Sequence, residues 1–310
     1  MNALMNSVTV SGKTFTYQKP WDGRRLSLLP TCPYLAFDTE TEMVDLKVQI
    51  PRLALAAVST GRQHALVRPD QIADFIQIHA DARFVFHHAA FDFWVIDKHL
   101  LEQGAEKARR KWWDACDQNR MHDTMLLDAL IRLAEGRAQK MKSSDKDWLP
   151  LRDLAEVATD YTALRITKED PYRTRYSEII GQDWDDVEDG FFSYAIKDPI
   201  VTYRAYLNMI DKAERLMQEN GYDPKRSPKE PCEIAPDAVK RFGYLTEQIQ
   251  VKGSIALEQL TRTGMCLDTP RLTQLRESYR HQLDEIIDTF LREYPEVIKR
   301  AKNGSVQRST

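Results

Sequence analysis

The chain has 310 residues, of which 42% are hydrophobic and 29% charged, and its formal net charge is −3. This length suits one large or two modest domains with a real core. A protein that bound duplex DNA purely by electrostatics would usually be basic, whereas an enzyme with a metal-loaded acidic pocket need not be, because bound cations supply local positive charge, so the net charge does not decide between them.

The sequence contains no run of about 18 apolar residues, so no membrane span is expected. The first six residues lack the charged start and apolar core of a signal peptide, so a cytoplasmic protein is expected. The four cysteines are widely scattered, which predicts reduced thiols and argues against a zinc site. They are Cys32, Cys116, Cys232 and Cys266.

The first hundred residues alternate short apolar runs with helix-like stretches. In chain order they predict a hairpin at 7–17, strands at 34–38, 52–59 and 63–67, a helix at 69–80, a strand at 83–87 and a helix at 89–104. This order predicts an α/β fold, with a mixed sheet flanked by helices.

After Asp123 the pattern is mainly helical. It predicts a surface loop at 137–148, a helix at 149–158 and a long helical segment at 185–219 that is interrupted or kinked at Pro199. Further on it predicts a proline-rich linker at 221–237 and two helical stretches within 238–301. The predicted organisation is therefore a domain at 1–220, the linker, and a C-terminal helical appendage at 238–310.

Four acids and one tyrosine occupy positions that such a fold brings together. Asp38 and Glu40 are two residues apart on a strand and share one face. Asp92 follows a neighbouring strand where a helix begins, and ligands cluster at strand ends. Tyr194 and Asp198 are four apart on a helix. Because converging carboxylates cannot all stay ionised without cations, the set predicts a Mg²⁺ or Mn²⁺ site.

Two such ions, roughly 3.5–4 Å apart, stabilise the attacking and leaving oxygens of an in-line displacement at phosphorus. They also lower the pKa of a bound water. A tyrosine has an ordinary pKa of about 10, so Tyr194 is better suited to orienting that water than to removing its proton. The pattern therefore predicts metal-assisted phosphodiester hydrolysis.

The order and spacing of these residues resemble the three exonuclease motifs of the DnaQ-like superfamily. The motifs are FDTET at 37–41, HHAAFD at 87–92 and YAIKD at 194–198. Because the third motif contains this tyrosine, the chain resembles the DEDDy branch of the superfamily. This branch includes the proofreading domains of family A DNA polymerases and ribonuclease D. Residues 122–126 and 151–155 also resemble segments of this family, so the resemblance covers roughly residues 30–215.

The resemblance implies an RNase H-like fold and a 3′–5′ exonuclease that releases nucleoside 5′-monophosphates from single-stranded DNA. It implies that Asp38, Glu40, Asp92 and Asp198 bind two Mg²⁺ or Mn²⁺ ions and that Tyr194 lies beside the nucleophilic water. An expected partner is a polymerase or another replication or repair protein.

The resemblance also implies substrate contacts. Thr39 and Phe91 lie within the motifs, and Val44 stands where polymerase relatives place an apolar side chain against the terminal bases. His88 stands where relatives often have asparagine, so a contact of this residue with a phosphate is an open expectation.

Residues 257–268 resemble the entry to a family A polymerase body, although no polymerase motif follows within the chain. Three interpretations of the helical appendage stay open: a polymerase fragment, a vestige on a stand-alone exonuclease, and a helical hairpin that braces the core. A fragment would need the rest of a polymerase to act on duplex ends.

Two other functions stay open beside DNA hydrolysis: trimming of RNA 3′ ends, as in ribonuclease D, and a non-catalytic module that binds nucleic acid or protein. Residues 109–113 mix basic side chains with tryptophans. They either guide a single strand or form a basic turn with the tryptophans packed inward, and the turn is favoured. Asp123 either supports the site or caps its helix. The basic residues at 299–308 predict a disordered tail.

Overall fold

A computed structural model describes residues 4–30, 33–44, 50–137, 139–140, 147–148, 150–167, 169–223, 236–264, 268–295, 298–300 and 306–308. The chain divides into two compact units, Met1–Arg262 and Thr263–Thr310. Residues 224–235 of the predicted linker lie outside the described residues, so the predicted domain boundaries stay predictions. Within the described part, no helix is long and apolar enough to cross a membrane.

Seven strands form one mixed sheet in the order β1-β2-β5-β4-β3-β6-β7. The strands are β1 Leu4–Val10, β2 Lys13–Lys19, β3 Tyr34–Thr41, β4 Leu53–Ser59, β5 His64–Val67, β6 Arg83–Phe86 and β7 Met121–Asp123. β1 and β2 form the N-terminal hairpin, and β3 pairs antiparallel with β4 and parallel with β6. The mixed sheet and its flanking helices confirm the predicted RNase H-like α/β fold.

Helices make up most of the remaining described elements. They are α1 Ile72–Ile78, α2 Ala89–Glu102, α3 Glu106–Asp117, α4 Thr124–Ala134, α5 Leu154–Tyr161, α6 Asp189–Ala195, α7 Lys197–Glu219, α8 Pro236–Phe242, α9 Glu247–Thr263 and α10 Thr269–Glu293. Short antiparallel pairs join β8 Gln139–Lys140 to β9 Asp147–Trp148, and β10 Ile298–Arg300 to β11 Val306–Arg308.

The side chains of β3 alternate between the two layers that cover the sheet. Leu35 and Phe37 belong to the core formed with α1, α2 and α3, whereas Ala36 belongs to the core formed with α4, α5 and α7. This period of two is the ordinary geometry of a strand. The even-numbered residues of β3 therefore face α7, and the odd-numbered residues face α2.

Helix α3 was not predicted, and neither was strand β7. The favoured interpretation of residues 109–113 was correct that tryptophan packs inward, since Trp112 is fully buried in an aromatic core with Phe37, Phe84 and Phe93. It was wrong about the turn, because these residues lie within a twelve-residue helix with one apolar face.

The predicted kink at Pro199 is replaced by a break at Ile196, between α6 and α7. Pro199 occupies the first turn of α7, where an N–H has no helical partner to lose. The predicted helix at 149–158 begins later, because Asp153 caps it and Glu156 completes a capping box.

The prediction of a disordered basic tail is wrong for Lys299, Arg300 and Arg308, which lie in paired strands. Cys116 is a buried free thiol. Cys32, Cys232 and Cys266 lie outside the described residues, so the prediction about their thiols stays a prediction.

Helix α9 packs into the core of the first unit, although the sequence placed it in the appendage. Val251 and Ile255 join the buried cluster around α2, and the Trp94 indole donates a 2.9 Å hydrogen bond to the Ile255 carbonyl oxygen. The first helical stretch after the linker therefore braces the α/β core.

Candidate active site

One cleft of about 380 Å³ collects the four acids and the tyrosine that the sequence singled out. Its lining residues are Asp38, Thr39, Glu40, Thr41, Glu42, Met43, Val44, His87, His88, Phe91, Asp92, Arg173, Tyr194 and Asp198. It lies at the carboxyl end of β3 and the start of α2, the edge of a sheet at which such folds place their ligands.

The alternation of β3 explains how the first two acids reach the cleft. Asp38 and Glu40 share the strand face that packs against α7, and α7 carries Asp198 in its first turn. The pairing with β4 shifts register between Glu40 and Thr41, so the strand is irregular where it meets the cleft. The predicted convergence of these three acids on one cavity is therefore present.

Asp92 reaches the cleft from the other layer. It is 2% exposed, and its Oδ1 accepts hydrogen bonds from the Thr39 backbone N–H at 3.0 Å and from the Thr39 hydroxyl at 2.6 Å. Burial raises the pKa of Asp92 to about 8, against the opposing effect of these hydrogen bonds. Thr39 thus points away from Asp38 and Glu40, and it holds the fourth acid.

Asp123 is buried and holds the start of two helices. Its Oδ1 accepts from the backbone N–H groups of Met125 and Leu126 at 2.8 and 3.2 Å, which caps α4. Its Oδ2 accepts from the backbone N–H of Ala89 at 2.7 Å, which fixes the first residue of α2. The predicted helix cap at Asp123 is therefore confirmed, and the same carboxylate also holds the first residue of α2, the helix that carries Asp92.

Tyr194 is buried beside the acids. Burial is the largest cause of its raised pKa, and the charges of Asp198, Glu40 and Asp38 add to it. Tyr194 and Asp198 lie on consecutive helices, α6 and α7, joined by Ile196 in right-handed helical conformation. Because the backbone stays helical at Ile196, Tyr194 and Asp198 keep nearly the relative placement that was predicted for a single helix.

The four predicted substrate-binding residues all line the cleft. Val44 is 56% exposed, and His88 stacks on Phe91 with ring centroids 6.2 Å apart. His88 has a φ of +87°, a left-handed backbone conformation that is uncommon for a residue with a side chain. The Thr39 hydroxyl is engaged by Asp92, whereas the other three side chains lie at the mouth of the site.

Sequence reasoning missed two residues of this site. Arg173 is an exposed cation in the cleft wall, and Tyr176 is a buried phenol whose pKa is raised by burial first and by Glu40 next. The Tyr176 hydroxyl donates a 2.9 Å hydrogen bond to the Phe191 carbonyl oxygen, which steadies the helix of Tyr194. Both lie in the aperiodic segment at 160–183, where only the mixture of arginine and tyrosine was a signal.

The donors in the cleft fit a hard divalent cation by their chemistry, because most of them are carboxylate oxygens and none of the described lining residues is a cysteine. Among the described residues, however, no group of three or more histidine, cysteine, aspartate or glutamate side chains is already arranged tightly enough to hold a metal ion. Asp92 is turned toward Thr39.

A larger cleft of about 610 Å³ lies beside the 179–184 loop, apart from the five residues. Its two arginines are both paired with acids, Arg52 with Glu42 at 2.9 Å and Arg68 with Asp70 at 3.2 Å. It is lined by other acids, Asp70, Glu102 and Asp183, and contains none of the four predicted acids or Tyr194.

Solved structures that resemble the chain do so at low identity. The exonuclease domain of Nibbler from Aedes aegypti is 13% identical with a TM-score of 0.39, over 62% of this chain and 82% of that chain. NrnC from Brucella melitensis with bound Mg²⁺ is 13% identical with a TM-score of 0.39, over 76% and 90%. NrnC bound to pGG is 14% identical with a TM-score of 0.37, over 71% and 86%.

No curated protein matches the chain. The family model described as 3′–5′ exonuclease, of the DNA polymerase A type, matches residues 25–214. This match spans more than half of the chain and contains all three exonuclease motifs. The chain therefore belongs to the 3′–5′ exonuclease family of the DNA polymerase A type.

Proposed function

We propose that this chain hydrolyses the terminal phosphodiester bond at the 3′ end of single-stranded DNA and releases nucleoside 5′-monophosphates. One observation carries the proposal: Asp38, Glu40, Asp92, Asp198 and Tyr194 all line one cleft, although they come from four different elements. Family membership supports the same reaction type.

In this proposal the four acids bind two Mg²⁺ or Mn²⁺ ions, which supply Lewis-acid stabilisation of the phosphoryl oxygens and a water of lowered pKa. The residues of the chain position the reactants. Asp38 and Glu40 hold one side of the cleft from β3, and Asp198 holds the other from α7. Tyr194 remains a neutral phenol and orients the attacking water by hydrogen bonding.

Thr39, Val44, His88 and Phe91 are the proposed substrate contacts. The exposed apolar side chain of Val44 is suited to lie against a terminal base. The stacked pair of His88 and Phe91 offers a ring surface and a donor at the cleft mouth. Thr39 would act mainly by holding Asp92.

The test is release of mononucleotides from 3′-labelled single-stranded DNA, with and without Mn²⁺. We expect Asp38→Ala to lower the rate at least about 100-fold, because metal-mediated charge stabilisation is worth several kcal/mol. The matched control is Asp74→Ala, which removes an exposed aspartate of α1 outside the cleft. Undiminished activity of Asp38→Ala would refute the proposed site.

Two outcomes of this assay would support another function. Faster hydrolysis of RNA than of DNA, when both compete in one reaction, would make the chain an RNA 3′-end trimmer like ribonuclease D. Binding of single strands without any metal-dependent product would make it a binding module.

A further inference from the structure

Glu247 is a fully buried carboxylate that does not line the cleft. It is the first residue of α9, and it lies beyond the region matched by the exonuclease family model, which ends at residue 214. Its side chain is 0% exposed. A buried carboxylate is costly unless its oxygens have hydrogen-bond partners, so its partners indicate what it does.

The two oxygens of Glu247 have different partners. Oε1 accepts a 3.1 Å hydrogen bond from the backbone N–H of Asp123. Oε2 lies 3.2 Å from Nδ1 of His122 and accepts a 3.3 Å hydrogen bond from the Tyr206 hydroxyl. Glu247 therefore contacts His122 and Asp123, the last two residues of β7, directly before α4 begins.

Asp123 connects this contact to Asp92 of the cleft. Its backbone is held by Glu247, while its carboxylate holds the N-terminal N–H of α2 at Ala89. Asp92 lies in the next three residues of α2, and its Oδ1 is fixed by Thr39. A continuous set of hydrogen bonds and one helical turn thus joins Glu247 to Asp92.

We propose that Glu247 is a positioning residue for the exonuclease reaction, which acts through Asp123 to fix the first turn of α2 and hence Asp92. The inference rests on the proposed function. It gives α9, which lies beyond the matched family region, a role in positioning Asp92. The neighbouring Gln248 is also buried, but its described hydrogen bond goes to His122 and not to Asp123.

This difference supplies a matched set of variants. Glu247→Met fills a similar volume without an acceptor, and Glu247→Gln keeps a carbonyl oxygen for the Asp123 N–H. Gln248→Ala removes a buried amide of the same helix and leaves the bond to Asp123 intact. All are measured with the full chain on 3′-labelled single-stranded DNA with Mn²⁺.

We expect Glu247→Met to lower kcat about 10- to 100-fold, the usual range for losing a residue that orients a metal ligand. KM for the oligonucleotide should not change, because no substrate contact is removed. Glu247→Gln should restore most of kcat, and Gln248→Ala should retain wild-type kcat. Equal losses in Glu247→Met and Gln248→Ala would overturn the inference, because they would indicate a general effect of destabilising α9.

Hydrogen exchange without metal or substrate gives a second, independent measurement. Glu247→Met should speed exchange of the amides at 88–92, whereas Gln248→Ala should not. Unchanged exchange at 88–92 in a folded Glu247→Met protein would overturn the inference. If that variant does not fold, exchange of the wild-type chain in mild urea replaces it: amides at 88–92 should open together with α9, and separate opening would overturn the inference.

Failure of the proposed function has a different signature. If the wild-type chain releases no metal-dependent product, the exonuclease assignment fails. If the wild type is active and the Glu247 variants match Gln248→Ala, only the role of Glu247 fails.

Discussion

In the site without metal ions, burial and the neighbouring carboxylates keep Tyr194 a neutral phenol near neutral pH. A raised pKa means that the proton stays bound to higher pH than in a free tyrosine, which ionises at about 10. The phenol therefore stays neutral below that pH and is able only to donate or accept a hydrogen bond. This favours orientation of the attacking water over proton removal.

A Tyr194→Phe variant tests that role. We expect kcat to fall about 10- to 100-fold, equivalent to one lost hydrogen bond of roughly 1–3 kcal/mol. The shape of the pH–rate profile between pH 6 and 9 should match that of the wild type, because no group that titrates in this range is removed. A limb of the wild-type profile that disappears in Tyr194→Phe would contradict the neutral phenol.

At the same scale, the acids were predictable and their supports were not. Asp38 and Glu40 obey the period of a strand, so their common face follows from two-residue spacing. The bond between Glu247 and Asp123 joins residues 124 positions apart, and no local pattern encodes it. Arg173 lies in an irregular segment, where neither hydrophobic periodicity nor turn residues indicate which way a side chain points.

Among elements, α4 and α5 are joined by a buried ionic network centred on Asp128. This carboxylate is fully buried, and it accepts from the side chains of Arg132 at 2.8 Å, Arg152 at 2.9 Å and Tyr161 at 3.1 Å. Arg152 also reaches Asp160 at the surface. The network fixes the layer that packs against α7, the helix that carries Asp198.

Asp128→Ala should therefore destabilise the fold strongly. Removing one member of a buried ion pair typically costs about 3–5 kcal/mol, because the remaining charges are left buried without a partner. Asp160→Ala, which breaks a partly exposed pair of the same Arg152, should cost less than about 1 kcal/mol. Urea unfolding of both variants measures the difference, and similar midpoints would contradict the buried network.

Element boundaries were predicted where a chemical signal marks them. The strands and α2 lie close to their predicted positions, because apolar runs and a strand-to-helix transition define them. The break at Ile196 has no such signal, and Pro199 drew the predicted kink three residues too late. Helix α3 was missed because its five consecutive residues Arg109 to Trp113 look like a basic surface segment until Trp112 is seen inside the core.

For the whole molecule, the described packing places α9 with the exonuclease core, while Thr263–Thr310 forms a compact unit by itself. A chain ending at residue 264 should therefore fold and retain the kcat of the full chain. A chain ending at residue 223 lacks α9. It loses buried Val251 and Ile255, and with them roughly 3–6 kcal/mol of stability.

Thermal unfolding and the mononucleotide-release assay together test both truncations. The shorter chain should unfold at lower temperature and lose activity, because Trp94 is uncovered and Asp123 loses the acceptor of its N–H. Equal melting temperatures for the two truncated chains would contradict the assignment of α9 to the core. Loss of folding in the 264-residue chain would contradict the independence of the two units.

Strand β3 serves both sides of the sheet within three consecutive residues, and this limits how the sequence can vary. Asp38 and Glu40 face one layer, while Thr39 faces the other and bonds to Asp92. An insertion of one residue before Asp38 would exchange the two sides, burying carboxylates against α2 and leaving Asp92 without its hydroxyl partner. Insertions and deletions in related sequences should therefore occur in the surface loops, and the number of residues in β3 should stay constant.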